Sequence, residues 1–222
     1  MRRYAAETFA TFAMVFTGTG AMVIDSITHG AVTHVGVALT FGMIVMAMIY
    51  AVGDISGAHM NPAVTVAFWL AGRLPARAVL PYLVSQLCGA VLASGLLRAM
   101  FGNVAHLGAT LPLGSESQSF LLELLLSLML MFVVLCVSSG PRETGIMAGI
   151  AVGGVVGLEA LFAGPISGAS MNPFRSLAPA LVSGHFTSLW LYLLAPTLGT
   201  AIAIPCWWTT CNHPALHQSQ KA

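Results

Sequence analysis

Long apolar stretches separated by short polar ones form most of this chain. Six of them reach the roughly 20 residues that a helix needs to cross a bilayer. They lie at about 4–24, 33–53, 78–100, 119–138, 144–164 and 188–209. Two further apolar pieces begin at Asn61 and Asn172 and are too short to span a membrane. The pattern therefore predicts six membrane-spanning helices and two re-entrant half-helices.

The two short pieces follow the same phrase. Residues 56–63 read SGAHMNPA and residues 167–174 read SGASMNPF, so six of eight positions are identical. The prolines, Pro62 and Pro173, fall in the first turn of each predicted half-helix, where a missing backbone N–H costs little. Each half-helix is thus predicted to begin at an Asn-Pro pair inside apolar sequence.

The repeated phrase marks two halves of one domain. Its Asn residues are 111 positions apart in a chain of 222, and Glu7 and Glu123, at the heads of corresponding spans, are 116 apart. Three spans per half reverse the orientation of the second half in the membrane. We therefore expect a single channel domain, 1–222, made of inverted repeats at about 4–100 and 119–209.

Composition agrees with a membrane-embedded chain. Of its residues, 57% are hydrophobic and 7% charged, with a mean hydropathy of +0.88. A soluble domain has about 25% charged residues. The formal charge of +1 and the absence of a basic run give no reason to expect nucleic acid as a partner. No metal or cofactor is expected, because Cys88, Cys136, Cys206 and Cys211 share no ligand spacing. The first three lie in apolar stretches and are expected to be small buried thiols.

Basic residues predict the orientation in the membrane. Most of them fall on the side that holds both termini: Arg2, Arg3, Arg73, Arg77, Arg142 and Lys221. Only Arg98 and Arg175 do not. Since positive charge accumulates on the cytoplasmic side, both termini are predicted to be cytoplasmic.

Non-helical backbone inside a bilayer is tolerated only where protein or a water-filled lumen satisfies it. We therefore expect the two loops before the half-helices to present carbonyl groups to a pore; these loops contain Gly57, Ala58, His59, Met60, Gly168, Ala169, Ser170 and Met171. A central constriction is expected at Asn61, Pro62, Ala63, Asn172, Pro173 and Phe174. The Asn side chains would cap the half-helices and direct amide donors into the lumen. Positive helix ends there would exclude cations and admit neutral hydrogen-bonding molecules.

The paired Asn-Pro motifs, Arg175 after the second, Glu7, Glu123 and the half-chain period together resemble the aquaporin (major intrinsic protein) family over about residues 4–209. The resemblance implies an all-α membrane protein, an aquaporin-like bundle of six transmembrane helices plus two re-entrant half-helices, and a homotetramer in the lipid bilayer. The stretches 50–59 and 164–173 resemble the nodulin-like branch and its bacterial relatives. That likeness suggests a bacterial inner membrane.

The family's selectivity filter, carried over by offset from the Asn residues, falls on Phe41, Ala160, Ala169 and Arg175. Strict water channels of the family have His where this chain has Ala160. A wider, less polar filter is therefore implied, suited to water, glycerol and neutral metalloid acids such as arsenous acid. Ser176 leans towards the water channels, so a strict water channel stays the alternative.

Some side chains carry their own expectations. Phe174 replaces the family's Ala and is expected to displace neighbours or intrude on the pore. Glu7 and Glu123 are expected to accept hydrogen bonds from the backbone of the re-entrant loops. Glu159 is expected to pair with a loop donor or, alternatively, to face the vestibule. His59 is expected to hydrogen-bond its own backbone.

Two other classes of protein fit the sequence less well. Inverted repeats with broken helices also build secondary transporters, which need a titratable or ion-binding site at the midplane. No acid is predicted at that depth in a matching place. An enzyme is not expected, because no nucleophile–base pair or metal cluster is visible.

Overall fold

The computed structural model describes residues 1–139 and 146–211. Its helices, numbered here in chain order, are α1 (Arg2–Ile27), α2 (Thr33–Ser56), α3 (Pro62–Leu70), α4 (Ala76–Phe101), α5 (Glu116–Val137), α6 (Ala148–Ser167), α7 (Pro173–Ser183) and α8 (Leu189–Thr210). A short 3₁₀ helix, Val104–Gly108, lies between α4 and α5. Arg142, Lys221 and the predicted start of the fifth span lie outside the described residues.

Six helices of 20 to 26 residues, α1, α2, α4, α5, α6 and α8, are long and apolar enough to cross a membrane within the described ranges. The predicted all-α fold with six spans is confirmed. The two half-helices are much shorter, with 9 residues in α3 and 11 in α7. Helix α6 ends at Ser167, three residues later than the sequence predicts, and leads directly into the second re-entrant loop.

Glycines let the long helices approach closely. A methyl group added to Gly89 of α4 would lie 2.2 Å from the carbonyl oxygen of Thr8 on α1. One added to Gly199 of α8 would lie 2.2 Å from the carbonyl oxygen of Leu124 on α5. The two glycines are 110 positions apart, so both repeats use the same crossing. Small residues of this kind favour helix association in membranes because the backbones can touch.

The half-helices enter the bundle from opposite sides. Arg73, just after α3, donates to the hydroxyl groups of Ser138 and Ser139 at the end of α5. Arg98, near the end of α4, donates to the carbonyl of Val182 near the end of α7. Because α4 crosses the bundle between Arg73 and Arg98, the outer ends of α3 and α7 lie on opposite faces and their N-termini meet inside.

Candidate pore

Each half-helix begins at an asparagine that caps it. Asn61 has extended backbone geometry, and its Oδ1 accepts a hydrogen bond of 2.9 Å from the backbone N–H of Ala63. Oδ1 of Asn172 accepts from the N–H groups of Phe174 and Arg175 at 3.1 and 3.3 Å. These N–H groups have no partner inside the helix, so the side chain satisfies donors that water cannot reach.

The same asparagines also join the two half-helices. Nδ2 of Asn61 donates to the carbonyl of Met171 at 2.7 Å, and Nδ2 of Asn172 donates to the carbonyl of Met60 at 2.8 Å. Nδ2 of Asn172 also lies 3.9 Å from Sδ of Met14. An amide nitrogen carries two hydrogens. Each Asn therefore donates one amide hydrogen to a carbonyl of the opposite loop, and its second amide hydrogen can be donated to another acceptor.

The loops that precede the half-helices have an unusual backbone. Ala58 and Met60 in the first loop have φ of 48° and 51°, and Ala169 and Met171 in the second have 41° and 52°. A residue with a Cβ pays about 1–2 kcal/mol for this left-handed conformation. Contacts outside the loops must hold a conformation of this kind in place.

Glu7 of α1 provides those contacts for the first loop. Its Oε1 accepts from the backbone N–H of His59 at 2.9 Å, and its Oε2 accepts from that of Met60 at 2.9 Å. The hydroxyl of Ser56 donates to Oε1 at 2.7 Å and the amide of Gln86 donates to Oε2 at 2.8 Å. A buried carboxylate with four donors is well satisfied, so it can order the loop.

Glu123 of α5 holds the second loop in the same way. Oε1 accepts from the N–H of Ser170 at 2.9 Å and from the hydroxyl of Ser167 at 2.7 Å, and Oε2 accepts from the N–H of Met171 at 2.8 Å. The hydroxyl of Tyr192 donates to the carbonyl of Ser167 at 2.6 Å. Every one of these side chains is fully buried or nearly so.

Sequence reasoning missed two pairs of supporting residues and one single residue. Ser56 and Ser167 are 111 positions apart, and Tyr82, which donates to the carbonyl of Ser56, is 110 positions from Tyr192. The repeat period that relates the Asn-Pro motifs would have found both pairs. Gln86 gives no such signal, because the position one period later is a proline.

A cavity of about 130 Å³ runs through the bundle past both asparagines. At one end its wall contains Phe41, Ala160, Ala169 and Arg175, and at the other end it contains Phe68, Val137 and Ser138. Between them the wall is largely apolar, with side chains from α2, α5 and α6 (Val45, Ile49, Leu130, Val134, Val152 and Val156). The re-entrant loops supply the polar part of the wall.

The cavity brings together most of the predicted site residues. Its wall includes the four residues predicted to form the filter, both asparagines and the loop residues Gly57, Ala58, His59, Met60, Ser170 and Met171. Gly168, Pro62, Ala63 and Pro173 are not part of the wall. Phe174 is not part of it either: the half-buried ring packs against the hydrophobic core. The ring therefore packs among apolar neighbours, and its effect on the width of the pore stays a prediction.

Arg175 is fixed by three groups at one end of the cavity. Nη1 donates to the carbonyl of Gly108 at 2.8 Å and Nη2 lies 3.2 Å from Sδ of Met22. The guanidinium carbon lies 4.9 Å from the ring centre of Phe41. The residue is only 2% exposed. A guanidinium held in this way keeps its remaining donors at fixed positions beside the lumen.

Gly108 belongs to an unusual turn. Ala105, His106 and Leu107 have φ of 47°, 46° and 58°, a short left-handed run inside the 3₁₀ helix. The run turns the carbonyl of the following Gly108 onto Arg175. Sequence analysis predicts an external loop here but assigns no residue of it to the filter.

His59 differs from expectation. Its Nδ1 lies 3.0 Å from the hydroxyl of Thr65, and its ring stacks on Phe68 at 4.7 Å between centroids and packs against Tyr82 at 4.9 Å. The imidazole therefore pairs with a side chain of the following half-helix and not with its own backbone. A flat ring between two aromatic neighbours gains from both contacts.

Glu159 also differs. The residue is 4% exposed, yet neither carboxyl oxygen has a hydrogen-bond partner within the described ranges, and the cavity wall does not include it. The expected loop donor is absent from these ranges. On a helix, adjacent residues are rotated by about 100°. Because Ala160 faces the cavity, the side chain of Glu159 is directed away from it.

Comparisons with known proteins agree with this architecture. Residues 1–206 match the sequence profile of the Major intrinsic protein family. The chain is 50% identical over 200 residues to Aquaporin NIP1-1 of Zea mays, covering 90% of this chain and 71% of that protein. It is 41% identical over 200 residues to Nodulin-26 of Glycine max, covering 90% and 74%.

A solved structure, the aquaglyceroporin from Plasmodium falciparum, has the same fold. It superposes with a TM-score of 0.82 and 23% identity, covering 98% of both chains. The paired, capped half-helices and the cavity between them agree with these sequence matches, and the six apolar helices make this a multi-pass membrane protein. The chain belongs to the major intrinsic protein family.

Proposed function

We propose that the chain is a passive channel for water and small neutral solutes, including glycerol or metalloid acids such as arsenous acid. The observation that carries the proposal is the cavity, which passes from Arg175 to Ser138 with apolar side chains on one side and loop groups on the other. A small polyol can slide its carbons along the first side while its hydroxyl groups pair on the second.

The electrostatics of the cavity oppose ions. Both half-helices direct their N-termini, each with about half a positive charge, at Asn61 and Asn172. Arg175 adds a positive charge, and its guanidinium contacts the carbonyl of Gly108 and the sulfur of Met22. A cation or proton meets this field at two depths, whereas a neutral molecule exchanges hydrogen bonds with the same donors.

The filter is proposed to be Phe41, Ala160, Ala169 and Arg175, with Asn61 and Asn172 at the central constriction. The methyl group of Ala160 leaves room opposite Arg175, which supports passage of solutes larger than water. A strict water channel is the alternative, in which other side chains restrict what Ala160 leaves open. No transported ion has to be invoked for either function.

Light scattering by proteoliposomes after osmotic shock tests the proposal. With sucrose as the osmolyte we expect fast shrinkage, and with glycerol we expect shrinkage followed by accelerated re-swelling. Ala160→His should slow re-swelling while sparing shrinkage, because the imidazole narrows the filter. Ala160→Val, which adds bulk without a polar ring, is the matched control. Glycerol passage that is unchanged in Ala160→His would remove Ala160 from the filter.

We also propose that both termini are cytoplasmic and that the protein forms a homotetramer with one pore per subunit. The orientation is supported by Arg2, Arg3, Arg73 and Arg77, which all lie at the ends of helices on one face of the bundle. Protease accessibility of tagged termini in sealed vesicles tests the orientation, and chemical cross-linking tests the tetramer. A bacterial inner membrane stays a prediction, since the relatives reported above are plant proteins.

A further inference from the structure

Two cysteines from different helices touch near one end of the cavity. Cys136 lies in the last turn of α5 and Cys211 directly follows α8. Their Sγ atoms are 3.1 Å apart, although the residues are 75 positions apart in the chain. Both thiols are half-buried, and neither Cys88 nor Cys206 takes part in the contact. The expectation of small buried thiols is wrong for the first three cysteines, because Cys88 is exposed and Cys136 and Cys206 are half-buried.

The contact is close to what a covalent bond requires. A disulfide joins its sulfur atoms at about 2.05 Å. The two sulfurs therefore need to approach by about 1 Å to form the bond. Thiols held this near each other on two packed helices do not have to search for a partner after one of them is oxidised.

We propose that Cys136 and Cys211 form a reversible dithiol–disulfide site that is oxidised by hydrogen peroxide. One thiolate attacks a peroxide oxygen, breaks the O–O bond and becomes a sulfenic acid, with release of one water after protonation. The second thiol attacks that sulfur, forms the S–S bond and releases the second water. Two electrons pass from the thiols to the peroxide, and a thiol reductant reverses the change.

The position of the site gives the bond a consequence for the channel. Cys136, Cys211 and Phe68 all pack against one buried apolar cluster, which contains Leu135 and Trp207. Phe68 is also part of the cavity wall, as is Ser138, two residues after Cys136. Arg73 stacks on Phe68 at 5.1 Å and donates to Ser138. A disulfide would therefore fix the turn of α5 that forms this mouth of the cavity to the end of α8.

The test uses the full chain with Cys88→Ser and Cys206→Ser, reconstituted in liposomes, so that only the proposed pair remains. After hydrogen peroxide and its removal by catalase, the protein is denatured and labelled with a maleimide-polyethylene glycol reagent. We expect two labels before oxidation, none after it, and two again after dithiothreitol. Intact mass should fall by two hydrogen atoms, and a non-reducing gel should show a single chain.

Variants that also carry Cys136→Ser or Cys211→Ser are the matched controls, and each should gain oxygen without losing hydrogen. Two labels that persist after peroxide, or oxygen added to both thiols of the pair, would overturn the site. Shrinkage rates under sucrose should change on oxidation of the pair, revert with reductant and stay constant in the controls. A complete disulfide with an unchanged rate would overturn the link to the mouth. The thiol count and mass do not depend on transport, so they separate this proposal from the proposed function.

Discussion

Replacement of Glu123 by Gln tests whether one buried carboxylate orders the second re-entrant loop. The two side chains have nearly the same shape, so the change removes charge and acceptors and leaves packing intact. Glu123 accepts three hydrogen bonds, two of them from the backbone N–H groups of Ser170 and Met171. Gln offers one acceptor oxygen and turns an N–H group towards at least one of these donors.

The cost can be estimated from those contacts. A buried N–H that loses its acceptor costs about 1–3 kcal/mol, and each bond that survives falls from charged to neutral strength, a loss of about 1 kcal/mol. Loss of the buried charge also removes its desolvation penalty, which offsets part of the sum. We expect Glu123→Gln to lower the free energy of unfolding by about 2–4 kcal/mol.

Thermal unfolding in detergent and osmotic shrinkage of proteoliposomes measure the two consequences. Glu123→Gln should unfold at a lower temperature and shrink more slowly, because the loop leads into Asn172 and its Met171 carbonyl accepts the hydrogen bond from Asn61. The matched control is Glu116→Gln on the same helix, an exposed acid that binds Ser188. If the two variants have equal unfolding temperatures and equal shrinkage rates, the carboxylate does not order the loop.

Three further changes have distinct outcomes. Gly89→Ala should lower the unfolding temperature because its methyl group meets a backbone carbonyl, whereas Gly95→Ala, with open space around it, should leave it equal or higher; equal losses would contradict the close crossing. Phe174→Ala should cost about 2 kcal/mol of stability but leave osmotic shrinkage unchanged, and faster shrinkage would return the ring to the pore. Tyr192→Phe should lower the free energy of unfolding by about 1 kcal/mol, because the hydrogen bond to Ser167 is lost. The exposed Tyr50→Phe should lower it less, and the reverse order in thermal unfolding would refute the role of the Tyr192 hydroxyl.

The order of elements could be predicted because each depends on a local pattern. Apolar runs of sufficient length gave the six spans, and an Asn-Pro pair before a short run gave each half-helix. The repeat then related distant residues without any contact information. Glu7 and Glu123 could be paired with the loops for the same reason, since each heads a span in its repeat.

Side-chain direction could not be predicted in the same way. Phe174 and Arg175 are neighbours in sequence, yet the ring of Phe174 packs against the hydrophobic core and the side chain of Arg175 reaches the cavity. That difference depends on how α7 is rotated against its neighbours. The predicted hydrogen-bond partners of His59 and Glu159 were wrong for a related reason. The partner of a buried polar group depends on contacts between elements that are far apart in the chain. The thiol contact of Cys136 and Cys211 also arises only from helix packing.

The carbonyl of Gly108 that binds Arg175 comes from the segment that joins the two halves and belongs to neither. The joining segment therefore contributes a hydrogen-bond acceptor to the wall of the site, and an arbitrary linker could not replace it. Two halves made as separate polypeptides would have to carry this turn on one of them to seat the guanidinium. An ancestor assembled from two identical copies would have lacked this contact until the joint between them acquired its present shape.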